Sequence, residues 1–144
     1  MEEKNPDAER QCSSCRYPLD PLADVFERLL GADGCPWDRK QTHESLKPYL
    51  IEEAHEALEA IEENNIPQLQ EELGDVLLQV VFHSAIASQR GDFDLNDVIA
   101  GVTEKLIRRH PHVFGDEKAA DEEDVARLWY RIKGEEKEAK SNPK

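Results

Sequence analysis

The sequence predicts an all-α protein, a helical bundle of four to five helices built around an antiparallel acidic helix pair. Apolar residues recur every three or four positions in successive segments, and no run of four or more residues alternates as a half-buried strand would. Gly, Asn and Pro fall between those segments as stops and starts. At 144 residues with 38% hydrophobic content the chain suits one ordinary core, since a single domain usually holds ~100–150 residues.

Residues 1–17 are polar and without period, and are expected to form a flexible leader carrying Cys12 and Cys15. The domain is expected over 18–140, with a charged tail over 141–144. The first helix starts at Asp20, read as its N-cap ahead of Pro21, and carries Leu22, Val25, Phe26, Leu29 and Leu30 until Gly31 stops it. Gly34-Cys35-Pro36-Trp37-Asp38 reads as a loop that holds an aromatic side chain in place. From Thr42 to Asn64 a long amphipathic helix sets Leu46, Leu50, Ala54, Ala57, Leu58 and Ile61 on one side and Glu52, Glu56, Glu59 and Glu63 on another. Asn64-Asn65-Ile66-Pro67 breaks it, and a helix resumes to Gln89 through Leu69, Leu73, Val76, Leu77, Val80 and Val81. So short a break makes the two helices antiparallel neighbours. Asp94 then caps a helix from Leu95 to Arg109, and after a loop through His110-Pro111-His112 a last helix spans Glu122 to Glu138.

Charge excludes several functions. Eighteen Lys and Arg against thirty-two Asp and Glu leave a net charge of −14, which disfavours passive binding of long DNA or RNA, because that needs cations to displace counterions. A nucleotide delivered with a divalent metal is still admitted, since the ion reverses the sign of the local field. No apolar run approaches the ~20 residues of a bilayer span, so no membrane partner is expected. Met1-Glu2-Glu3-Lys4 lacks a basic start followed by an apolar stretch, and three cysteines are too few and odd for a disulfide scaffold, which together suggest the cytoplasm.

The informative imbalance is local. Glu44 to Asp75 holds ten acids and one base, Lys47. On a wheel of ~100° per residue, Glu53 and Glu56 fall on the flank of their helix just outside the apolar sector, and Glu72 and Asp75 fall on the equivalent flank of the next. The two pairs are also level along the axis of an antiparallel hairpin, so all four carboxylates are expected to face one groove. Like charges gathered in this way call for a cation, and oxygen ligands alone suit Mg²⁺, with Mn²⁺ able to substitute. The opposing account makes these acids an ordinary solvated helix face. Glu72 weighs against it, lying between Leu69 and Val76 at the core boundary, and Gly74 removes a side chain that would block approach.

Glu52-Glu53-x-x-Glu56 followed by Glu72-Leu73-Gly74-Asp75 resembles the paired acidic motif of the MazG nucleoside triphosphate pyrophosphohydrolases, an all-α NTP pyrophosphatase group. Gly34-Cys35-Pro36-Trp37-Asp38, Gln41-Thr42-His43, the segment from Lys105 through Arg108-Arg109-His110-Pro111-His112-Val113-Phe114, and Trp129 with Ile132-Lys133 match as well, so the likeness runs from Pro21 to Lys137. The resemblance implies a Mg²⁺-dependent hydrolase that converts a nucleoside triphosphate to its monophosphate and pyrophosphate and works as a homodimer or higher homo-oligomer. It implies Glu53, Glu56, Glu72 and Asp75 as metal ligands, with Glu52 and Glu53 in the catalytic group and Glu52 orienting the attacking water. It also implies Lys105 and Arg109 as a phosphate-facing pair and Trp129 as an aromatic near the nucleotide. Many relatives carry two copies of the domain in tandem, and the single copy here resembles the first. Cys12 and Cys15 lie outside the likeness.

Plainer accounts accompany several of these residues. Lys105, Arg108 and Arg109 close a helix, where cations meet the negative end of its dipole. Trp37 and Trp129 read on general grounds as core aromatics, and His110 and His112 as shapers of a turn. Cys12, Cys15, Cys35 and His43 offer four zinc ligands at irregular spacing. Glu52-x-x-His55 imitates half of a di-iron bundle site, but the partner motif ends in Asp75 and His55 points away from the apolar sector. A rival of another class is a non-catalytic acidic module that oligomerises or binds a partner while retaining its metal.

Overall fold

A computed structural model describes residues 18–141 of the chain. Among them are seven helices and no strand: α1 (Asp20–Leu29), α2 (Pro36–Lys40), α3 (His43–Glu62), α4 (Ile66–Arg90), α5 (Leu95–Arg109), α6 (Pro111–Phe114) and α7 (Glu122–Ser141). The count exceeds the four to five expected because two segments read as loops each close a short helix. Both begin at a proline, Pro36 and Pro111, whose fixed φ suits the first turn. The leader, with Cys12 and Cys15, and residues 142–144 of the tail lie outside the described residues. The chain divides into two compact units, one ending at Leu95 and one running Asn96–Lys144.

The first unit holds α1 to α4. Leu19 rather than Asp20 occupies the N-cap position of α1, in helical conformation and with no side-chain cap, so Asp20 is a first-turn residue that meets the positive end of the dipole. Local chemistry sets the ends of α3. The Ser45 backbone N–H donates to the Thr42 hydroxyl at 3.1 Å while the Thr42 N–H donates to Ser45 Oγ at 2.8 Å, a reciprocal cap. After the link through Asn64 and Asn65, the Asn65 side chain accepts from the Gln68 N–H at 3.2 Å and opens α4. Gly91, in the left-handed region at φ 76°, closes it.

Helices α3 and α4 pack along their length. His43, first in α3, hydrogen-bonds His83 late in α4 at 2.7 Å, while Glu53 and Glu56 meet Glu72 and Asp75 nearer the link. Early residues meeting late ones is antiparallel pairing. The core lies at the His43 end, where Phe26 and Leu30 from the end of α1, Leu46 from α3, and Val81, Phe82 and Ile86 from α4 are buried together. The Phe26 and Phe82 rings pack at 4.9 Å with a tilt of 49°. Gln89 Nε2 donates to the Leu30 carbonyl at 3.0 Å and ties α4 to the end of α1. The turn beyond α1 folds back so tightly that a Cβ on Gly34 would stand 2.0 Å from the Leu29 carbonyl oxygen.

Which face each helix buries departs from the sequence expectation. Leu50, Leu58 and Ile61 of α3 and Leu73, Leu77 and Val80 of α4 are exposed. The buried residues of α3 are Leu46, Ala57 and Ala60, which fall within about 40° of Glu53 on the wheel. On α4 Glu72 and Gln79 are buried before the helix enters the core at Val81. Each helix is therefore rotated so that its carboxylates point along the helix contact and its leucine edge faces outward. Small residues, Ala57 and Ala60, let the acidic edges approach.

The second unit holds α6, α7 and all of α5 beyond its first residue. Within it Arg131 NH2 pairs with Glu117 at 2.8 Å, Arg108 and Arg109 pair with Glu136, and Ile132 is the buried apolar residue among those described.

Candidate functional site

Four carboxylates meet between α3 and α4. Glu53, Glu56, Glu72 and Asp75 each offer one oxygen, and those oxygens all lie within 4.8 Å of one another. Three and four residues are neighbouring positions on a helix, so Glu53 with Glu56 and Glu72 with Asp75 each present two acids to the partner helix. Glu72 is only 6% exposed. Gln68, one turn earlier, donates from Nε2 to Glu72 Oε1 and holds that carboxyl toward the contact.

The electrostatics of the cluster suit a cation. Glu56 is pushed up to about 7, first by the hydrogen bonds it makes as an acid to Glu72 and Glu53, then by burial and by their charges. Glu53 is also raised, chiefly by burial, with Asp75, Glu52 and Glu72 adding repulsion and the bond from Glu56 opposing them. The second oxygens of Glu53 and Glu72 are buried with no hydrogen-bond partner. Orphaned anionic oxygens at close quarters are costly in a protein interior, and a hard divalent ion satisfies such a donor set. Among the described residues this is the one group of three or more metal-capable side chains.

The cluster contains the four expected ligands and leaves other sequence candidates outside. Glu52 is exposed beside Glu53. His55, which a di-iron centre would need, is exposed and takes no part in the group. A Cβ at Gly74 would meet nothing within 4 Å, so packing does not require a glycine there. Of the suggested zinc ligands, His43 is engaged with His83, Cys35 is a free thiol, and Cys12 and Cys15 fall outside the described residues. Gln68 was missed by sequence reasoning, although its position four residues before Glu72 was a readable signal.

Lys105, Arg109 and Trp129 belong to the second unit. Lys105 is exposed, and Arg109 is drawn into a local network. Its guanidinium carbon sits 4.7 Å from the Trp129 ring centroid, and its NH2 donates to Glu136 Oε2 at 2.9 Å. Arg108 Nε donates to Glu136 Oε1 at 2.6 Å. Held by Arg109 and then Arg108, Glu136 stays ionised down to about 2. No spacing in the sequence signals Glu136, which reaches the arginines from a different helix. The His110 ring lies edge-on to Trp129 at 5.6 Å, and His110 occupies the N-cap position of α6, as a turn-shaping residue would. Trp37 is not a core aromatic: it is 50% exposed, edge-on to Tyr49.

Comparison with known proteins bears on this arrangement. Residues 41–114 match the MazG nucleotide pyrophosphohydrolase domain. The chain is 55% identical over 124 residues to the nucleoside triphosphate pyrophosphohydrolase/pyrophosphatase MazG of Thermotoga maritima, covering 86% of this chain and 47% of that protein. It is 44% identical over 124 residues to a nucleoside triphosphate pyrophosphohydrolase of Escherichia coli K12, covering 85% and 47%. The chain thus spans about half the length of these relatives. A crystal structure of a mazG-related protein from Thermotoga maritima superposes with a TM-score of 0.68 at 33% identity, over 81% of this chain and 99% of that one.

Proposed function

Because the chain belongs to the MazG nucleotide pyrophosphohydrolase family, we propose that it hydrolyses a nucleoside triphosphate, ribo or deoxy, to the monophosphate and pyrophosphate. Mg²⁺ is its ion, with Mn²⁺ able to substitute. The observation that carries this reading is the convergence of Glu53, Glu56, Glu72 and Asp75 on one point between two helices. Those four would hold the ion, which when bound supplies Lewis-acid polarisation of the phosphoryl group and brings the pKa of water toward neutrality.

The remaining work falls to the chain's own groups. In-line displacement at the α-phosphorus forms one P–O bond from water and breaks the bond to the bridging oxygen, so pyrophosphate leaves. Little covalent help is needed and positioning carries most of the rate. Glu52, next to the ligand Glu53, orients the water and takes its proton. Lys105 and Arg109 meet the phosphate oxygens, where fixed cations stabilise the charge that builds on them. Trp129 lies beside the nucleotide. A cytoplasmic setting suits this substrate, and turnover of damaged triphosphates would make the enzyme a house-cleaner of the nucleotide pool.

The same reading includes a homodimer or higher homo-oligomer. Ile66, Leu73, Leu77 and Val80 form an exposed edge of α4, within about 60° on the wheel, and Ile51, Leu58 and Ile61 form a companion edge on α3. Exposed apolar edges of this kind on a strongly anionic chain suit a partner surface, and a second copy supplies a self-complementary one.

Incubation with each common and damaged triphosphate plus Mg²⁺, with products identified by chromatography, tests the activity. Monophosphate with intact pyrophosphate is expected, whereas diphosphate with orthophosphate, or no product, would overturn it. Glu52→Gln should abolish turnover while Mg²⁺ still binds.

A further inference from the structure

Arg108 and Arg109 are consecutive residues at the end of α5, yet both reach one carboxylate. Glu136 accepts from Arg108 Nε at 2.6 Å on Oε1, and from Arg109 at 2.9 Å through NH2 and 3.3 Å through Nε on Oε2. The side chains of Arg109 and Glu136 are 12% and 16% exposed, while that of Arg108 is 51% exposed, so the fork is closed on the Trp129 side and open on the other. Two guanidinium groups gripping a two-oxygen anion is the geometry in which arginine binds phosphate, and phosphate, with more charge and a third oxygen, is the stronger ligand.

The helix that carries Glu136 is softened beside it. Gly134 lies within α7, is exposed, and a Cβ there would meet nothing within 4 Å, so packing does not demand a glycine. Glycine in a helix interior costs about 1 kcal/mol relative to alanine. Glu135 cannot replace Glu136 at the fork without leaving Arg131, with which it pairs at 3.6 Å.

We propose that the Arg108–Arg109 fork is an anion site for a substrate phosphate and that Glu136 is its built-in occupant, an autoinhibitory carboxylate that the triphosphate displaces on binding. The proposal rests on the phosphate role of Arg109 proposed above. Arg108 becomes a second phosphate ligand, and the Glu136 arm of α7 swings aside when the fork is taken.

Full-length chain and the variants Glu136→Gln, Glu136→Asp and Arg109→Gln are compared in Mg²⁺ for KM with a nucleoside triphosphate and, by calorimetry, for affinity toward inorganic pyrophosphate. Glu136→Gln is expected to lower KM and tighten pyrophosphate binding about tenfold, the scale of one displaced charge-assisted hydrogen bond. Glu136→Asp, which keeps the charge with a shorter reach, should fall between. A merely structural bridge predicts instead a lower melting temperature with KM unchanged or raised, and that result overturns the proposal. The two layers separate cleanly. If Arg109→Gln weakens pyrophosphate binding but neither Glu136 variant tightens it, the displaced occupant is wrong and the phosphate role of Arg109 stands. If Arg109→Gln binds pyrophosphate as the unaltered chain does, that role fails and the proposal goes with it.

Discussion

The imidazole of His43 lies parallel to that of His83, tilted by 7° with centroids 5.0 Å apart, and their Nδ1 atoms are 2.7 Å from each other. Only one of the two nitrogens can carry the proton between them, so the contact requires at least one neutral ring. It fastens the start of α3 to α4 beside the hydrophobic core.

Burial, and after it the neighbouring His43, lower the pKa of His83. The unfolded chain therefore binds a proton more readily than the fold does. The stability this pair contributes is complete above the unfolded value of ~6.5 and is lost as pH falls through the lower folded value. Thermal melts between pH 8 and 5 should show the unaltered chain losing more of its melting temperature than His83→Phe. Parallel curves would remove the pair as the cause.

Removing one ligand should cost the reaction far more than the fold. Glu53→Gln and Asp75→Asn keep shape and helical position but lose the charge proposed to hold a divalent ion, and turnover should fall by at least ~10²-fold, as for loss of a group stabilising charge in the transition state. Circular dichroism should remain helical. Native rates in both variants would take the two residues out of the site.

Metal and carboxylates are linked through stability as well. If the four carboxylates hold Mg²⁺ as proposed, a free concentration of ~100 Kd should stabilise the folded state by about 2.7 kcal/mol, visible as a higher melting temperature that chelator reverses. Glu72→Gln removes a buried like charge whose Oε2 has no partner, so its metal-free form should melt higher than the unaltered chain and gain nothing from Mg²⁺. A metal-induced rise of equal size in both would argue that the ion binds elsewhere.

Gly34 should tolerate no side chain. Alanine there drives a Cβ to 2.0 Å from a backbone oxygen that cannot swing away, and the Cys35 N–H bond to the same Leu29 carbonyl, 2.8 Å long, would have to open. Urea unfolding of Gly34→Ala should report a loss of about 2–3 kcal/mol, typical of overpacking. A difference within error would mean the turn relaxes freely.

The outward leucine edge predicts an oligomer that a charge can split. Leu77→Lys puts an ammonium in the middle of the exposed α4 strip, and sedimentation should then show monomer where the unaltered chain sediments as a dimer or larger assembly. A monomeric unaltered chain at micromolar concentration would refute that assignment.

Much of the helix layout was legible because its causes are local. The repeat from Leu46 to Ile61 and the restart at Asn64-Asn65-Ile66-Pro67 lie within a few residues of what they determine, and the predicted α5 coincides with Leu95–Arg109. The two prolines that open α2 and α6 were readable too, but short segments dense in turn formers favour a loop reading. Glu53, Glu56, Glu72 and Asp75 could be paired because both acidic motifs are equally far from one turn.

Sequence alone determined the five long helices and which four acids stand level, since a helix forms from bonds that reach only four residues. Tertiary structure decided how each helix is turned about its axis. The predicted inward stripe of Leu73, Leu77 and Val80 faces out, and Glu72 faces in, because α4 is anchored at its far end by Phe26, Leu30 and Leu46. It likewise decided that Arg109 is held by Glu136, twenty-seven residues on. Rotation and long-range pairing depend on which surfaces leave water together, a sum over residues that no local window contains.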